Sequence, residues 1–471
     1  MNGLTVLGLV AACVVAGCLG ASAADVPAKA PAYQAWASTP PMGWNSWDCF
    51  GTAVTETLAK ENIDYMADKL KAHGWQYITV DIQWYEPKSS GFGYRKGAAL
   101  DMDAFGRLIP ADTKFPSATK ELGFKPLADY VHGKGLKFGI HMMRGIPRQA
   151  VTQNTPILGT DKLKAGGIHA ADIVKKVTVV TNGVSKVTED ICPWNPDMYG
   201  IDMTKPGSQE YYDSVLALVA SWGVDFVKVD DLSRPYPEHQ LEVEAIRKAI
   251  DKTGRPMVFS TSPGETPLAS GEHVASHANM WRISDDFWDS WKSLKEQFVR
   301  LDNWTPFRGP GHYPDADMLP LGSVKTQSNG WTKFTHDEQI TLMTMWSMAQ
   351  SPLIMGGHLP KNDDWTLALM TNDEVIAVDQ HSTGGKQLSR AGDIVIWVAD
   401  VPESKDRYVA FFNATDAATP AAISVSLHDL GFSGHCTVRD LWTHKDLGDF
   451  TNEFSADIAK HGAGLYRVTP K

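Results

Sequence analysis

The chain has 471 residues, 43% hydrophobic and 21% charged, with a formal net charge of -11 and no block of like charges. Such a composition excludes a disordered or collagenous chain, the length exceeds one minimal core, and the negative balance argues against a nucleic-acid partner. The 16 tryptophans and 13 tyrosines allow stacking on the C–H faces of sugar rings, although most of them are expected to be core.

Leu4 to Gly20 is apolar and ends in small residues, and Ala21-Ser22-Ala23 offers a cleavage site. Residues 1–23 are therefore expected to be a signal peptide, giving a secreted or periplasmic protein with no transmembrane span in the mature chain. Val15-Ala16-Gly17-Cys18 offers a second reading, a lipoprotein box with a lipid anchor on Cys18. The absence of Lys and Arg before the apolar run weakens both. Residues 24–39, rich in Ala and Pro, read as a linker.

From Pro40 the texture becomes that of β/α units. Thr55 to His73 has helical periodicity, with Leu58, Ile63, Met66 and Leu70 on one face. A strand follows at Tyr77 to Ile82, then a helix at Leu127 to Lys134 and a strand at Leu136 to Ile140. Between Arg144 and Trp194 the rhythm lapses into an insertion, with a hairpin over Val177 to Thr188 turning at Asn182-Gly183. It then resumes: helix Gln209 to Ser221, strand Phe226 to Asp230, helix Leu241 to Lys252, strands Met257 to Ser260 and Asn279 to Ile283, and helices from Trp291 and Ile340.

About eight such units predict an α/β fold, a (β/α)8 TIM barrel over residues 40–377. After Val378, short alternating runs such as Ile394 to Val398 and Tyr408 to Phe412 predict a C-terminal antiparallel β-sandwich over 378–471. Beyond Cys13 and Cys18, only Cys49, Cys192 and Cys436 remain, which is no disulfide framework and no zinc motif, and leaves room for one bridge at most.

Polar groups gather at the expected strand ends: Asp81, His141, Asp230 with Asp231, and Arg282 with Asp285 and Asp286. Two carboxylates facing a cleft are the minimal equipment for glycoside hydrolysis, and Asp230 with Asp286 is the leading pair. Lys228, two residues before Asp230 on a strand, shares its side and would favour an ionised carboxylate. A structural Lys–Asp ion pair is the competing reading. His141 stands open between a satisfied structural histidine and a site group. Asp81, His141, Asp230 and Asp231 could also be metal ligands, yet no H-x-H or H-E-x-x-H accompanies them. Gly356-Gly357 and Gly91-Phe92-Gly93 lack phosphate-loop spacing.

Pro41-Met42-Gly43-Trp44-Asn45-Ser46-Trp47, Lys228-Val229-Asp230 and Trp281-Arg282-Ile283-Ser284-Asp285-Asp286 occur in an order that resembles glycoside hydrolase family 27, the α-galactosidase or melibiase family. Pro314 to Leu319, Ser351 to Gly357 and Asn372 to Val378 extend the resemblance. It implies a retaining exo-glycosidase without a cofactor, acting on an oligo- or polysaccharide. By the same resemblance, Asp230 is the nucleophile, Asp286 the acid/base, and Trp47, Asp81, Lys228, Arg282 and Met318 line the sugar subsite.

Three stretches depart from the family pattern. Asp81-Ile82-Gln83-Trp84 stands where Asp-Asp-Cys-Trp is typical, Thr261-Ser262-Pro263-Gly264 where Cys-Glu-Trp-Gly is common, and His141-Met142-Met143 where Tyr-Ser-Asp is common. Ile82 removes a carboxylate that would hold a sugar's outer hydroxyls. The stretch resembles that of family members preferring β-L-arabinopyranose, which has the ring and anomeric stereochemistry of α-D-galactose without C6. The expectation is hydrolysis of terminal α-D-galactosyl or β-L-arabinopyranosyl groups. A non-catalytic carbohydrate-binding barrel is the alternative from another class.

Overall fold

The structure is a computed structural model that describes residues 1, 31–119 and 121–471. The leader and Cys18 readings fall outside the described residues. No helix among the described residues is long and apolar enough to cross a membrane.

Eight parallel strands follow one another around a barrel: β1 (Met42–Asn45), β2 (Tyr77–Val80), β3 (Lys137–Met143), β4 (Phe226–Asp230), β5 (Val258–Thr261), β6 (Met280–Arg282), β7 (Tyr313–Asp315) and β8 (Leu353–Met355). β8 pairs with β1, and Leu319, just beyond β7, bridges to Met355. The ring is thereby closed.

Burial sorts each strand into two sides, as a period of two requires. Val227 and Val229 join the layer packed under the helices, whereas Phe226 joins Tyr77, Val258, Met280, Tyr313 and Ile354 in a separate cluster inside the barrel. Lys228 and Asp230 alternate in phase with Phe226. They therefore point inward.

The helical signal at 55–73 is realised as an α-helix over Glu56–Tyr65 that widens into a π-helical turn over Met66–Leu70 and then tightens into a 3-10 turn over Lys71–His73. Thr55 caps its start by accepting a hydrogen bond from the Leu58 N–H, and Ile63, Met66 and Leu70 are buried. The stretch expected as a linker is structured where it can be seen. Ala32–Ala37 is a 3-10 helix, with the Arg247 guanidinium 4.6 Å from the Tyr33 ring and 4.8 Å from the Trp36 ring. Asn279 Nδ2 donates to the Tyr33 and Gly311 carbonyls, tying the segment to the entry of β6. Aromatic partners give this piece something to bury against, which its Ala/Pro texture conceals.

The insertion carries the expected hairpin, Lys176–Thr181 against Val184–Glu189, with φ of 51° at Asn182 and 77° at Gly183. Two consecutive positive φ values are what a type I′ turn needs, and Asn-Gly supplies them.

The C-terminal strands run from Thr383 to Pro470, in a six-stranded sheet faced by the pair Ala421–Ser426 and Glu453–Ile458. Phe411, Phe454 and Tyr466 pack in the core of this sandwich. The helix Asp373–His381 spans the expected boundary at 377, so the sheet begins only at Thr383. The helix His336–Ala349, started by a Thr335/Glu338 capping box, joins the two parts. Trp442 Nε1 donates to Thr344 Oγ1, and Thr341 Oγ1 donates to the His461 carbonyl. Cys49, Cys192 and Cys436 are buried free thiols, so no bridge forms among them.

One buried ion cluster holds two barrel strands together at their C-terminal ends. Arg144, just past β3, donates from Nε and Nη2 to Asp231 Oδ2 at 3.0 and 2.8 Å, and from Nη1 to Asp190 and Glu242 at 3.0 and 3.3 Å. Its backbone N–H donates to the Asp230 carbonyl. Arg144→Met would leave several carboxylates around an uncharged side chain, with a cost of about 3–5 kcal/mol. Urea unfolding of the two proteins measures it, and a difference below about 1 kcal/mol would contradict this role.

Candidate active site

At the C-terminal ends of the strands lies a cavity of about 490 Å³, lined by Trp47, Asp81, Ile82, Lys228, Asp230, Arg282, Asp286 and Met318 among others. Every residue expected at the site from sequence meets there. This is the face on which barrel enzymes carry their chemistry.

Asp230, at the end of β4, is buried, with Oδ2 2.9 Å from His141 Nε2. Burial alone would raise its carboxyl, but the Lys228 ammonium and then His141 outweigh it and hold the group at about 2. Lys228 also lies 3.0 Å from Asp81 Oδ2, which accepts from Asn45 Nδ2 at 2.7 Å. The Ile82 N–H donates to Asp81 Oδ1, so that carboxylate is held from both sides. His141, open between two readings in the sequence, is wholly buried against Asp230.

The neighbouring carboxylates separate by environment. Asp231 has φ of 67°, which turns it away from Asp230 and onto Arg144. Asp285 is exposed at the rim and paired with Arg234 at 2.9 Å. Asp286 is 56% exposed, with Oδ1 3.4 Å from Arg282 Nη2, so it borders both the cavity and water.

Several lining residues were not singled out from the sequence. Asp317 is 2.8 Å from Arg282 and accepts from the Phe287 N–H. Burial lifts its carboxyl, and Asp315 is lifted to about 6 by burial and by Asp317. Asp48 is buried with no partner on Oδ2, and burial, then Asp317, pushes its carboxyl well above the usual range. A Cβ on Gly356 would collide with that carboxylate. Gly356, just after β8, thus makes room for Asp48, and Gly357 beside it lets the Leu321 carbonyl approach, which explains a motif that phosphate binding did not.

An aromatic rim completes the cavity. Trp47 stacks on Tyr94 with ring centroids 6.2 Å apart and meets Phe92 edge-on, while Tyr94 packs on Trp194 and Phe92 on Trp288. Lys325 Nζ sits 4.0 Å above the Trp288 ring. These side chains come from loops far apart in the chain, so only the general wealth of tryptophan announced them. Asp317 did carry a signal, since it lies in the Pro314 to Leu319 motif.

The sequence profile of alpha galactosidase A matches residues 39–152 and 199–381, and that of the alpha galactosidase C-terminal beta sandwich domain matches 391–468. The chain belongs to glycoside hydrolase family 27. The stretch between the two matched barrel segments, 153–198, contains the hairpin insertion. A β-L-arabinopyranosidase of this family from Geobacillus stearothermophilus is 49% identical, with a TM-score of 0.86 over 93% of this chain and 98% of that one. The α-galactosidase of Coffea arabica is 30% identical over 92% of this chain and 94% of its own length. The α-galactosidase of Cyamopsis tetragonoloba is 29% identical over 92% and 87%. This family 27 member is an α-galactosidase-like glycosidase, which implies a carbohydrate substrate.

Proposed function

We propose that this enzyme is a retaining exo-glycosidase that removes terminal β-L-arabinopyranosyl groups in preference to α-D-galactosyl groups. The observation that carries the preference is Ile82, an apolar side chain in the cavity wall beside Asp81. A galactosyl 6-hydroxyl directed at it would lose a partner, at a cost of about 1–3 kcal/mol. An arabinopyranosyl group has no such hydroxyl. The likeness to the Geobacillus arabinopyranosidase supports the same reading.

In this mechanism Asp230 attacks the anomeric carbon while Asp286 protonates the departing glycosidic oxygen, leaving a glycosyl ester on Asp230. Asp286 then takes a proton from water, which attacks the same carbon and frees Asp230. The environments fit this division of labour. Asp230 is kept ionised by Lys228 and His141, whereas Asp286 reaches water at the aromatic rim where an aglycone would lie. Asp81, Lys228, Arg282, Trp47 and Met318 surround the sugar. Proton NMR of early product tests the stereochemistry: retained anomeric configuration is expected, and inversion would overturn the double displacement.

Two further results are expected. Asp286→Ala should cut kcat/KM for alkyl glycosides by about 10²–10⁴-fold while sparing much of that for nitrophenyl glycosides, whose leaving groups need no proton; kcat/KM reports the first step, before the water step that uses Asp286 as base. Equal losses on both would remove Asp286 from the acid role. Asp230 works ionised, so its contribution is present above its pKa and fades as pH falls through it. Lys228→Met removes the cation that holds that value near 2, so the acidic limb of the kcat/KM profile should move to higher pH. An unmoved limb would show that Lys228 does not set the charge.

A further inference from the structure

A second group of side chains converges away from the catalytic mouth. Glu244, His273 and His277 each offer one ligand atom, and the three atoms lie within 4.8 Å of one another. Glu244 is on the helix Tyr236–Thr253 that follows β4, His273 on the short helix Gly271–Ala275, and His277 just before β6. The cluster therefore touches the entry of β6, whereas Asp286 lies beyond its exit.

Hydrogen bonds determine which ring nitrogens remain available. His277 Nδ1 lies 2.8 Å from the His273 carbonyl oxygen, which can only accept, so Nδ1 carries the proton and Nε2 keeps its lone pair. Ser276 Oγ, 3.1 Å from the same nitrogen, donates to that same carbonyl. His273 Nδ1 lies 2.9 Å from the hydroxyl of buried Tyr236, a group able to serve either tautomer, and its Nε2 lies 3.2 Å from Glu244 Oε1. The two imidazoles stack with centroids 4.2 Å apart and planes 17° apart, so their in-plane lone pairs lie in nearly parallel planes and one ring must turn about its Cβ–Cγ bond for both to meet one ion. Both rings are thus held through Nδ1 by oxygen atoms, the outer support that metal-bound histidines have.

We propose that Glu244, His273 and His277 form a zinc site that fastens the helix after β4 to the segment entering β6. Two imidazole nitrogens and one carboxylate oxygen suit Zn²⁺ far better than Mg²⁺ or Ca²⁺, which take oxygen shells, and water completes a tetrahedron. The ion stabilises the fold and takes no part in hydrolysis. Without it the same residues make a Glu244–His273 hydrogen bond, a ring stack and the Nδ1 contacts to Tyr236 and the His273 carbonyl.

The test uses the untagged full chain, stripped with a chelator and titrated with Zn²⁺ by calorimetry and thermal melting. One Zn²⁺ per chain is expected, with a melting temperature about 3 °C higher at a hundredfold excess over Kd and no effect of Mg²⁺. His277→Gln and Glu244→Gln should each weaken Zn²⁺ binding by at least about tenfold. Both should leave hydrolysis unchanged, which also reports that they fold. No bound Zn²⁺ at about 100 µM, far above the sub-micromolar Kd that structural zinc binding implies, would overturn the proposal. So would variants that bind as tightly as the parent, since the ion would then sit elsewhere, and so would binding without any rise in melting temperature.

Discussion

Asp230→Ala should lower kcat on an aryl glycoside by about 10⁵-fold or more, whichever sugar is offered. The carboxylate is the atom source for the new bond to the anomeric carbon, and its neighbours Asp231 and Asp81 are engaged elsewhere. Asp231 points at Arg144, and Asp81 is occupied by Asn45 and Lys228. A small anion such as azide should enter the vacated space and restore part of the rate, giving a glycosyl azide of inverted configuration. Stopped assays on the purified variant measure the loss, and chromatography identifies the azide product. Activity within about tenfold of the parent would move the nucleophile elsewhere.

Ile82→Asp should shift preference from the arabinopyranoside toward the galactoside by about 5–150-fold in the ratio of kcat/KM values. The new carboxylate offers the 6-hydroxyl the acceptor that isoleucine denies it. With the arabinopyranoside the same carboxylate faces no hydroxyl and must stay hydrated in a wall that is now 1% exposed. Both effects move the ratio the same way. A ratio unchanged by the substitution would mean that another part of the wall selects the sugar.

Sequence patterning located β2 to β6, the three-residue β6 through the longer run Asn279 to Ile283 that extends past both its ends. Phe226 to Asp230 reads as a buried run because apolar residues face both the helices and the barrel interior, and its end is marked by charge. β1, β7 and β8 span only Met42–Asn45, Tyr313–Asp315 and Leu353–Met355, too short to show a period, and they were visible as motifs instead. The proposed catalytic pair was legible because each carboxylate ends a strand or follows one closely. The role of His141 was not, because a single histidine carries no spacing, and only the register of β3 against β4 sets it beside Asp230. Asp48 was hidden for a related reason: what distinguishes it is a carboxyl left without a partner in a buried wall, which depends on β8 lying beside β1.

The most direct test compares kcat/KM for p-nitrophenyl β-L-arabinopyranoside and p-nitrophenyl α-D-galactopyranoside on the unaltered enzyme. An advantage of about 5–150-fold for the arabinopyranoside is expected from one unpaired hydroxyl beside Ile82. Equal values, or a preference for the galactoside, would contradict it.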